Sequence, residues 1–175
     1  MTDFQDIAEL QELLEFQQVL IERIASGTPI RECLDAICLA IENVFSEQKI
    51  KSSILLLCDG HLYIGAGPNI DDEYHQLIDG IAIGPNVGSC GTTAYYEKPT
   101  IVVDVYQSEE WSDFLVLAEQ FGFRSCWSFH VGSMHRVPRA PSSRVQRTSS
   151  VFSRVIQQSS ALSYRVCFET CASSA

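Results

Sequence analysis

Cys90 stands between two glycines in the segment GSCGT, residues 88–92, shortly before a strand-like apolar run. A cysteine serves as a nucleophile or redox centre when its thiol pKa is lowered and a base or a second thiol lies nearby. The start of a helix lowers a thiol pKa, and Ser89 is a residue type that caps helices. The segment therefore permits thiol chemistry, although most buried cysteines serve as small apolar residues.

The same segment has glycines and a helix start, which can bind an anion. It lacks the lysine that a phosphate-binding loop requires, so a nucleotide phosphate loop is disfavoured. The seven cysteines form no CxxC pair and no metal-like spacing with the four histidines; they stand at positions 33, 38, 58, 90, 126, 167 and 171. Their mostly apolar surroundings indicate reduced thiols in a cytoplasmic protein, and we predict no metal and no cofactor.

Charge excludes several classes of partner. The chain of 175 residues has a formal net charge of −10, so nucleic acid and an acidic membrane surface are disfavoured. The first residues are acidic from Asp3 and do not resemble a secretory signal. No apolar run approaches the ~20 residues that span a bilayer.

The composition changes abruptly after residue 132. Residues 133–175 contain 11 Ser, 6 Arg and a single acidic residue, whereas the first 132 residues hold 6 basic and 21 acidic residues. We predict three parts: an amphipathic signalling or dimerisation helix over residues 1–27, a domain over 28–132, and an aberrant Ser/Arg-rich tail over 133–175.

The elements that position Cys90 follow from periodicity. Apolar residues at helical spacing predict a helix over 3–26, which Thr2 or Asp3 can cap and Gly27 can end. A second helix is predicted after Pro29, with Thr28 as its cap. The stretch from Trp111 predicts a single amphipathic helix closed by Gly122. Asp59-Gly60 predicts a hairpin turn, and Asn69 is expected to cap the next helix. The order is helix, helix, strand, strand, helix, strand, helix, strand, helix, strand. It indicates an α+β or α/β domain with a mainly antiparallel sheet.

Residues 83–131 together resemble the second half of a GAF domain of the bacterial signalling type, as found in diguanylate cyclases, cyclic-di-GMP phosphodiesterases and sensor histidine kinases. The resemblance is carried by GSCGT, by Pro99 before a strand that ends at Asp104, by Trp111, and by the run FGFRSCWS. It implies an α+β, GAF/PAS-like fold: a six-stranded antiparallel sheet with helices on one face and a small-molecule pocket on the other.

The resemblance also implies a further strand soon after Val131, for which the tail has no evident room. We hypothesise a deletion or frame error near Gly132, which would also explain the charge reversal. Residues 151–166 are roughly periodic and predict a helix.

As a GAF-like sensor, the chain is expected to be non-catalytic, to bind a small ligand and to pair with a second copy through its N-terminal helix, which could equally pack on its own domain. It is expected to regulate cyclic-di-GMP turnover or a histidine kinase. The resemblance places these residues at the ligand: Ser89, Cys90, Thr92, Asp104, Trp111, Cys126 and Trp127.

Several other readings remain open. A GAF-type free methionine-R-sulfoxide reductase would use Cys90 and Cys126 as catalytic residues, although the third cysteine expected before the glycines is absent. A structural dimerisation module would bind no ligand. A bilin-attaching GAF domain would have histidine after its cysteine, whereas Trp127 follows Cys126. Haem ligation by His75 or His130 is a weaker possibility.

Overall fold

The computed structural model describes residues 15–45, 49–131 and 165–173. Helix α1 occupies residues 15–25 of the predicted N-terminal helix. The earlier part of that predicted helix, with its proposed caps, falls among residues 1–14, which lie outside the described part. Gly27, which we predicted to end the helix, has a φ of 79°. This left-handed conformation is readily adopted by glycine and turns the chain toward the second helix.

Helix α2, Ile30–Val44, has an apolar stripe that includes Leu34, Ile37 and Ile41, all of them buried. Pro29 rather than Thr28 occupies the position before the helix, so the helix begins one residue later than predicted. The fixed φ of proline suits the entry to a helix. Helix α2 therefore presents one apolar face to the sheet and a polar face outward.

Strands β1, Ile50–Cys58, and β2, His61–Ala66, form the predicted antiparallel hairpin. Asp59 and Gly60 have φ of 48° and 74°, as a tight two-residue hairpin turn requires. The local sequence therefore fixes the register at the end of this hairpin.

Helix α3, Asp72–Ile78, is capped by Asp71, whose carboxylate accepts the backbone N–H of Glu73 over 2.8 Å. The prediction that Asn69 caps this helix is wrong. Asn69 instead donates a hydrogen bond to Glu42 of α2, because tertiary contact offers it a carboxylate. A two-residue strand β3, Ile81–Ala82, then pairs with β2.

The second half of the domain follows the predicted order. Its elements are helix α4, Gly88–Tyr96; strand β4, Thr100–Val102; two short 3-10 helices, Val105–Gln107 and Glu109–Phe114; helix α5, Leu115–Phe121; and strand β5, Phe123–Val131. Gly122, with φ of 71°, ends α5 as predicted. The predicted single helix from Trp111 is divided, because its first turn adopts the tighter 3-10 form.

Strand β6, Arg165–Ser173, completes a six-stranded sheet in the order β3-β2-β1-β6-β5-β4, with antiparallel pairing throughout. The expectation that no strand follows Val131 is therefore wrong. Residues 165–173 of the predicted tail lie in the sheet, between β1 and β5. The strand is present, so it no longer supports the hypothesis of a frame error. The change in composition is the argument that remains for that hypothesis. The helix predicted over 151–166 falls mostly outside the described residues, and 165–166 begin β6.

The two faces of the sheet carry separate apolar clusters. Helices α1 and α2 pack on one face, against Ile54 and Val131 among others. The other face holds Leu55, Leu62 and the side chains of α3, α4 and α5. Neighbouring residues Ile54 and Leu55 thus serve opposite faces, as the pleat of a strand dictates. The long helices lie on one face as expected, and the second face is available for a site.

Helix α1 packs on its own domain, one of the two alternatives that the sequence left open. Leu20 is 1% exposed and belongs to the cluster beneath α2, and Phe16 packs against the same cluster. Val19, Ile21 and Ile24 of the same helix stay exposed. The packing that buries Leu20 therefore leaves these other apolar side chains of α1 in contact with solvent.

Candidate functional site

A small cavity lies on the second face of the sheet, between β1, β2 and the segments that carry α3, α4 and α5. It has a volume of about 30 Å³ and is lined by Leu55, Leu62, Tyr74, Ile78, Ile81, Val87, Gly88, Ser89, Cys90, Gly91, Trp111, Phe114 and Leu117. None of these residues is an acid, a lysine, an arginine or a histidine. The space can hold water but is far below the ~300 Å³ of a pocket that encloses a small molecule.

The glycines around Cys90 shape one wall of the cavity. Val87 is wedged between Gly84 and Gly91, since a Cβ added at Gly91 would lie 2.6 Å from Val87 Cβ and one at Gly84 would lie 2.8 Å from Val87 Cγ2. Gly88 has a φ of 56°, as expected where the chain turns. Gly91 is needed for close packing rather than for its backbone freedom.

Ser89 and Trp111 are joined across the cavity wall. The indole N–H of Trp111 donates to Ser89 Oγ over 2.9 Å, and the two residues are 2% and 0% exposed. Ser89 lies inside α4, which begins at Gly88 after Val87 without a side-chain cap. The prediction that Ser89 caps this helix is therefore wrong, because its hydroxyl is used by a residue 22 positions away.

Cys90 is buried at the cavity and is hydrogen bonded to the sheet. The hydroxyl of Ser128 in β5 donates to Cys90 Sγ over 3.2 Å, and Thr93 Oγ1 donates to the Ser128 carbonyl over 3.3 Å. Thr92 Oγ1 donates to the Pro85 carbonyl over 3.1 Å, so Thr92 braces the turn before α4 and does not line the cavity. These bonds fix α4 against β5.

Asp104 lies away from the cavity. Its carboxylate accepts the backbone N–H of Tyr106 at the start of a 3-10 helix and the side chain of Gln107, at 3.1 and 2.8 Å. It also pairs with Arg124 over 2.9 Å. Asp104 therefore caps the next turn, whereas the resemblance placed it at the ligand.

Cys126 and Trp127 are neighbours on β5 and point to opposite faces of the sheet. Cys126 is fully buried in the same apolar cluster as Cys90, and its Sγ lies 3.1 Å from Cys171 Sγ of β6. Trp127 is half-buried and does not line the cavity. Of the seven predicted site residues, the cavity therefore brings together Ser89, Cys90 and Trp111.

Sequence reasoning missed the aromatic wall behind Trp111. Tyr74 of α3 meets Phe121 and Phe123 edge to face, with ring centroids 5.3 and 5.0 Å apart, and Trp111 meets Phe123 at 6.4 Å. Edge-to-face contacts of this kind stabilise aromatic clusters. The helical spacing of Tyr74 and Ile78 was a signal for one buried face, but it could not tell that this face borders a cavity.

His75 and Cys38 have altered pKa values for the same physical reason. Burial lowers the pKa of His75 below 6.5, with Asp72 partly opposing it, and within the described residues its Nε2 has no hydrogen-bond partner. Burial also raises the pKa of Cys38 to about 12, which makes it an unreactive thiol. No group of three His, Cys, Asp or Glu side chains that could hold a metal ion occurs in the described part of the chain.

The sheet order, the two helical layers and the position of the cavity define a GAF fold. Solved structures bear this out: the GAF domain of the phosphoenolpyruvate-protein phosphotransferase from Acinetobacter matches with a TM-score of 0.55 at 14% identity, over 83% of this chain and 90% of that one. The reduced form of fRMsr of Staphylococcus aureus matches with a TM-score of 0.54 at 16% identity, over 81% and 94%.

Among curated proteins, the methyl sulfide methyltransferase-associated sensor of Methanosarcina acetivorans is 29% identical over 132 residues. The match covers 73% of this chain and 13% of that protein, so the chain corresponds to a small part of it. No protein-family model matches the chain. Within the described residues, no helix has the length and apolar character needed to cross a membrane.

Proposed function

We propose that this GAF-fold chain is a sensory domain that binds a small, uncharged and largely apolar molecule at the cavity beside Cys90. The observation that carries the proposal is the cavity itself, which is lined mainly by aliphatic and aromatic side chains and bordered by Ser89 and Trp111. Apolar pockets with a few convergent polar groups are the usual form of small-molecule sites.

The lining supports an uncharged ligand. No acid, lysine, arginine or histidine borders the cavity, so a charged ligand would lose its hydration without gaining an ion pair. The Ser89 hydroxyl, the Trp111 indole N–H and the Cys90 thiol provide polar contacts. An aromatic or aliphatic molecule with one or two neutral polar groups fits this chemistry.

Binding requires the cavity to open. At about 30 Å³ it admits water but no metabolite, and the 3-10 helix Glu109–Phe114 contributes Trp111 and Phe114 to its lining. Moving that helix outward would break the hydrogen bond from Trp111 to Ser89 and uncover the aromatic wall. A ligand that binds the open arrangement more tightly shifts the population toward it, and this difference in affinity sets the size of the signal.

The signalling context rests on the curated relative, which is a sensor, and on the GAF resemblance. We propose a cytoplasmic protein in which the domain regulates cyclic-di-GMP turnover or a histidine kinase. The exposed Val19, Ile21 and Ile24 on α1 support pairing with a second copy through this helix. The role assigned to the domain is regulatory and non-catalytic.

The test is a thermal-shift screen of uncharged aromatic and aliphatic metabolites, followed by calorimetric titration of each molecule that raises Tm. The variant Leu117→Trp fills the cavity from α5, and Val116→Trp places the same bulk on the exposed side of that helix. We expect the first variant to lose the ligand response and the second to keep it. A response equal in both variants would overturn this site.

A free methionine-R-sulfoxide reductase is the second candidate, supported by Cys90 at the cavity and by the structural likeness to fRMsr. In that reaction two thiols become a disulfide, and the sulfoxide oxygen leaves as water. Thiol-dependent consumption of free methionine sulfoxide that is abolished by Cys90→Ser or Cys126→Ser would establish it. Full activity in the double serine variant would exclude it.

A structural module without a ligand predicts a Tm that no metabolite changes, together with a dimer that α1 substitutions dissociate. Replacing Val19, Ile21 and Ile24 by serine and measuring mass in solution tests the dimer separately from the ligand site.

A further inference from the structure

Two thiols face each other in the middle of the sheet. Cys126 of β5 and Cys171 of β6 are directly opposite partners in the antiparallel ladder. Their sulfur atoms lie 3.1 Å apart, with the Cys171 thiol donating to Cys126 Sγ, and the residues are 0% and 1% exposed. The proposed sensory function uses neither thiol, and the reductase alternative uses Cys126 with Cys90 rather than with Cys171.

We propose that Cys126 and Cys171 are a redox-active pair that closes to a disulfide and locks β6 into the sheet. Directly opposite residues of an antiparallel pair have Cα atoms about 4.5–5.5 Å apart, within the range of about 4.4–6.8 Å that disulfides span. A disulfide bond is about 2 Å long, so the sulfurs need to approach by about 1 Å.

The oxidant is a small neutral hydroperoxide, because both sulfurs are buried. A charged oxidant would lose its hydration on the way to them, and a bulky one would not fit between the packed side chains. One sulfur attacks a peroxide oxygen while its thiol proton passes to the leaving oxygen; the O–O bond breaks and the sulfur becomes a sulfenic acid. The second sulfur attacks the first, the S–O bond breaks and water leaves. Two thiols and one hydroperoxide thus yield one disulfide, one water and one alcohol or second water. The two sulfurs lose the two electrons that the peroxide gains.

Position separates this pair from other cysteines that the structure describes. Cys33 and Cys38 belong to the cluster on the opposite face of the sheet, beneath α2. Cys58 is exposed at the end of β1. Cys90 lies in the same cluster as the pair and accepts a hydrogen bond from the hydroxyl of Ser128. The pair is defined by a sulfur-to-sulfur contact between directly opposite residues of two neighbouring strands.

The disulfide would hold β6, a strand that is far in sequence from its neighbours in the sheet and lies between β1 and β5. Residues 132–164 separate β5 from β6, yet β6 supplies ladder partners to both β1 and β5. In the reduced protein, β6 is held by noncovalent contacts alone. A bridge from Cys126 to Cys171 fixes the register of β6 and prevents the strand from leaving the sheet.

The experiment uses the full chain carrying Cys58→Ser, which removes the thiol that is exposed at the end of β1. Protein treated with hydrogen peroxide or with a phosphine reductant is alkylated, digested with trypsin without reduction and mapped by mass spectrometry. Cleavage after Arg124 and Arg165 places Cys126 and Cys171 in different peptides, and fragmentation distinguishes Cys171 from Cys167 in the second peptide. We expect a peptide pair joined through Cys126 and Cys171, and a Tm about 5–10 °C higher in the oxidised form.

Cys171→Ala and Cys126→Ala should each abolish the joined peptides and the rise in Tm, while Cys90→Ser should keep both. Two results from the Cys58→Ser protein with its other cysteines intact would overturn the proposal without relying on the folding of these variants. One is alkylation of both Cys126 and Cys171 after peroxide treatment. The other is a bridge that joins either of them to a different cysteine. Neither result depends on a ligand, so the sensory role is tested separately.

Discussion

Trp111 donates its indole N–H to the hydroxyl of Ser89 over 2.9 Å, in a contact sealed from solvent. The bond joins the 3-10 helix Glu109–Phe114 to the first turn of α4 across the cavity. It is therefore a stabilising contact, and in the function proposed above it is the bond that breaks when the cavity opens.

Ser89→Ala should lower the free energy of unfolding by about 1–3 kcal/mol, because the buried indole N–H loses its acceptor. Trp111→Phe should also destabilise the domain, and the two changes together should do so by less than their sum. Urea unfolding followed by circular dichroism measures this coupling. Ser112→Ala is the control, since that exposed hydroxyl bonds only the local Glu109 carbonyl in the same 3-10 helix and its loss should change stability little. Strict additivity would show that the bond contributes nothing.

Stability should decrease as the pH falls below about 6.5 because of His75. Burial holds the pKa of His75 below 6.5 in the folded protein, so the unfolded chain binds the proton first as the pH drops. The favourable contribution is complete above the unfolded pKa and is lost between that value and the lower folded one. Denaturant unfolding between pH 8 and 5.5 should show a shallower slope in His75→Gln. The exposed His61→Gln is the matched control, and an equal flattening there would refute the assignment.

Gly91→Ala should destabilise the domain by about 1–3 kcal/mol, because its new Cβ would lie 2.6 Å from Val87 Cβ and 2.8 Å from Val87 Cγ1. In Gly88→Ala the added Cβ would have no neighbouring atom within 4 Å, so the loss of stability comes from the φ of 56° alone. Gly88→Asn should therefore recover part of the loss at position 88, since asparagine tolerates this conformation, whereas Gly91→Asn should recover none. Thermal unfolding compares the four variants, and recovery at position 91 would contradict the steric explanation.

Replacing residues 132–164 by a short glycine-containing turn should preserve the fold. Val131 and Val166 are opposite partners of neighbouring antiparallel strands, a geometry that a loop of about two to five residues can connect. The shortened protein should unfold cooperatively with a Tm at least as high as that of the full chain. Deleting residues 165–173 instead should abolish cooperative unfolding, because β1 and β5 lose their shared partner. A stable domain that ends at residue 132 would show that β6 is dispensable.

Local chemistry explains which elements could be predicted. The hairpin at Asp59-Gly60, the helix ending at Gly122 and the order of elements through β5 follow from backbone preferences and apolar spacing within a few residues. Capping was less predictable. Ser89 and Asn69 have the right side chains for a cap, but Trp111 and Glu42 engage them from afar.

The sequence by itself determined the α+β class, the turns, the helix ends and the presence of a cysteine flanked by glycines at a helix start. Only the tertiary structure decided that β6 lies between β1 and β5, that Trp111 reaches Ser89, and that Cys126 meets Cys171. The physical reason is separation along the sequence. Ser89 and Trp111 are 22 positions apart, and Cys126 and Cys171 are 45 positions apart. Their geometry depends on the order in which the strands pair, and the local spacing of residue types does not determine that order.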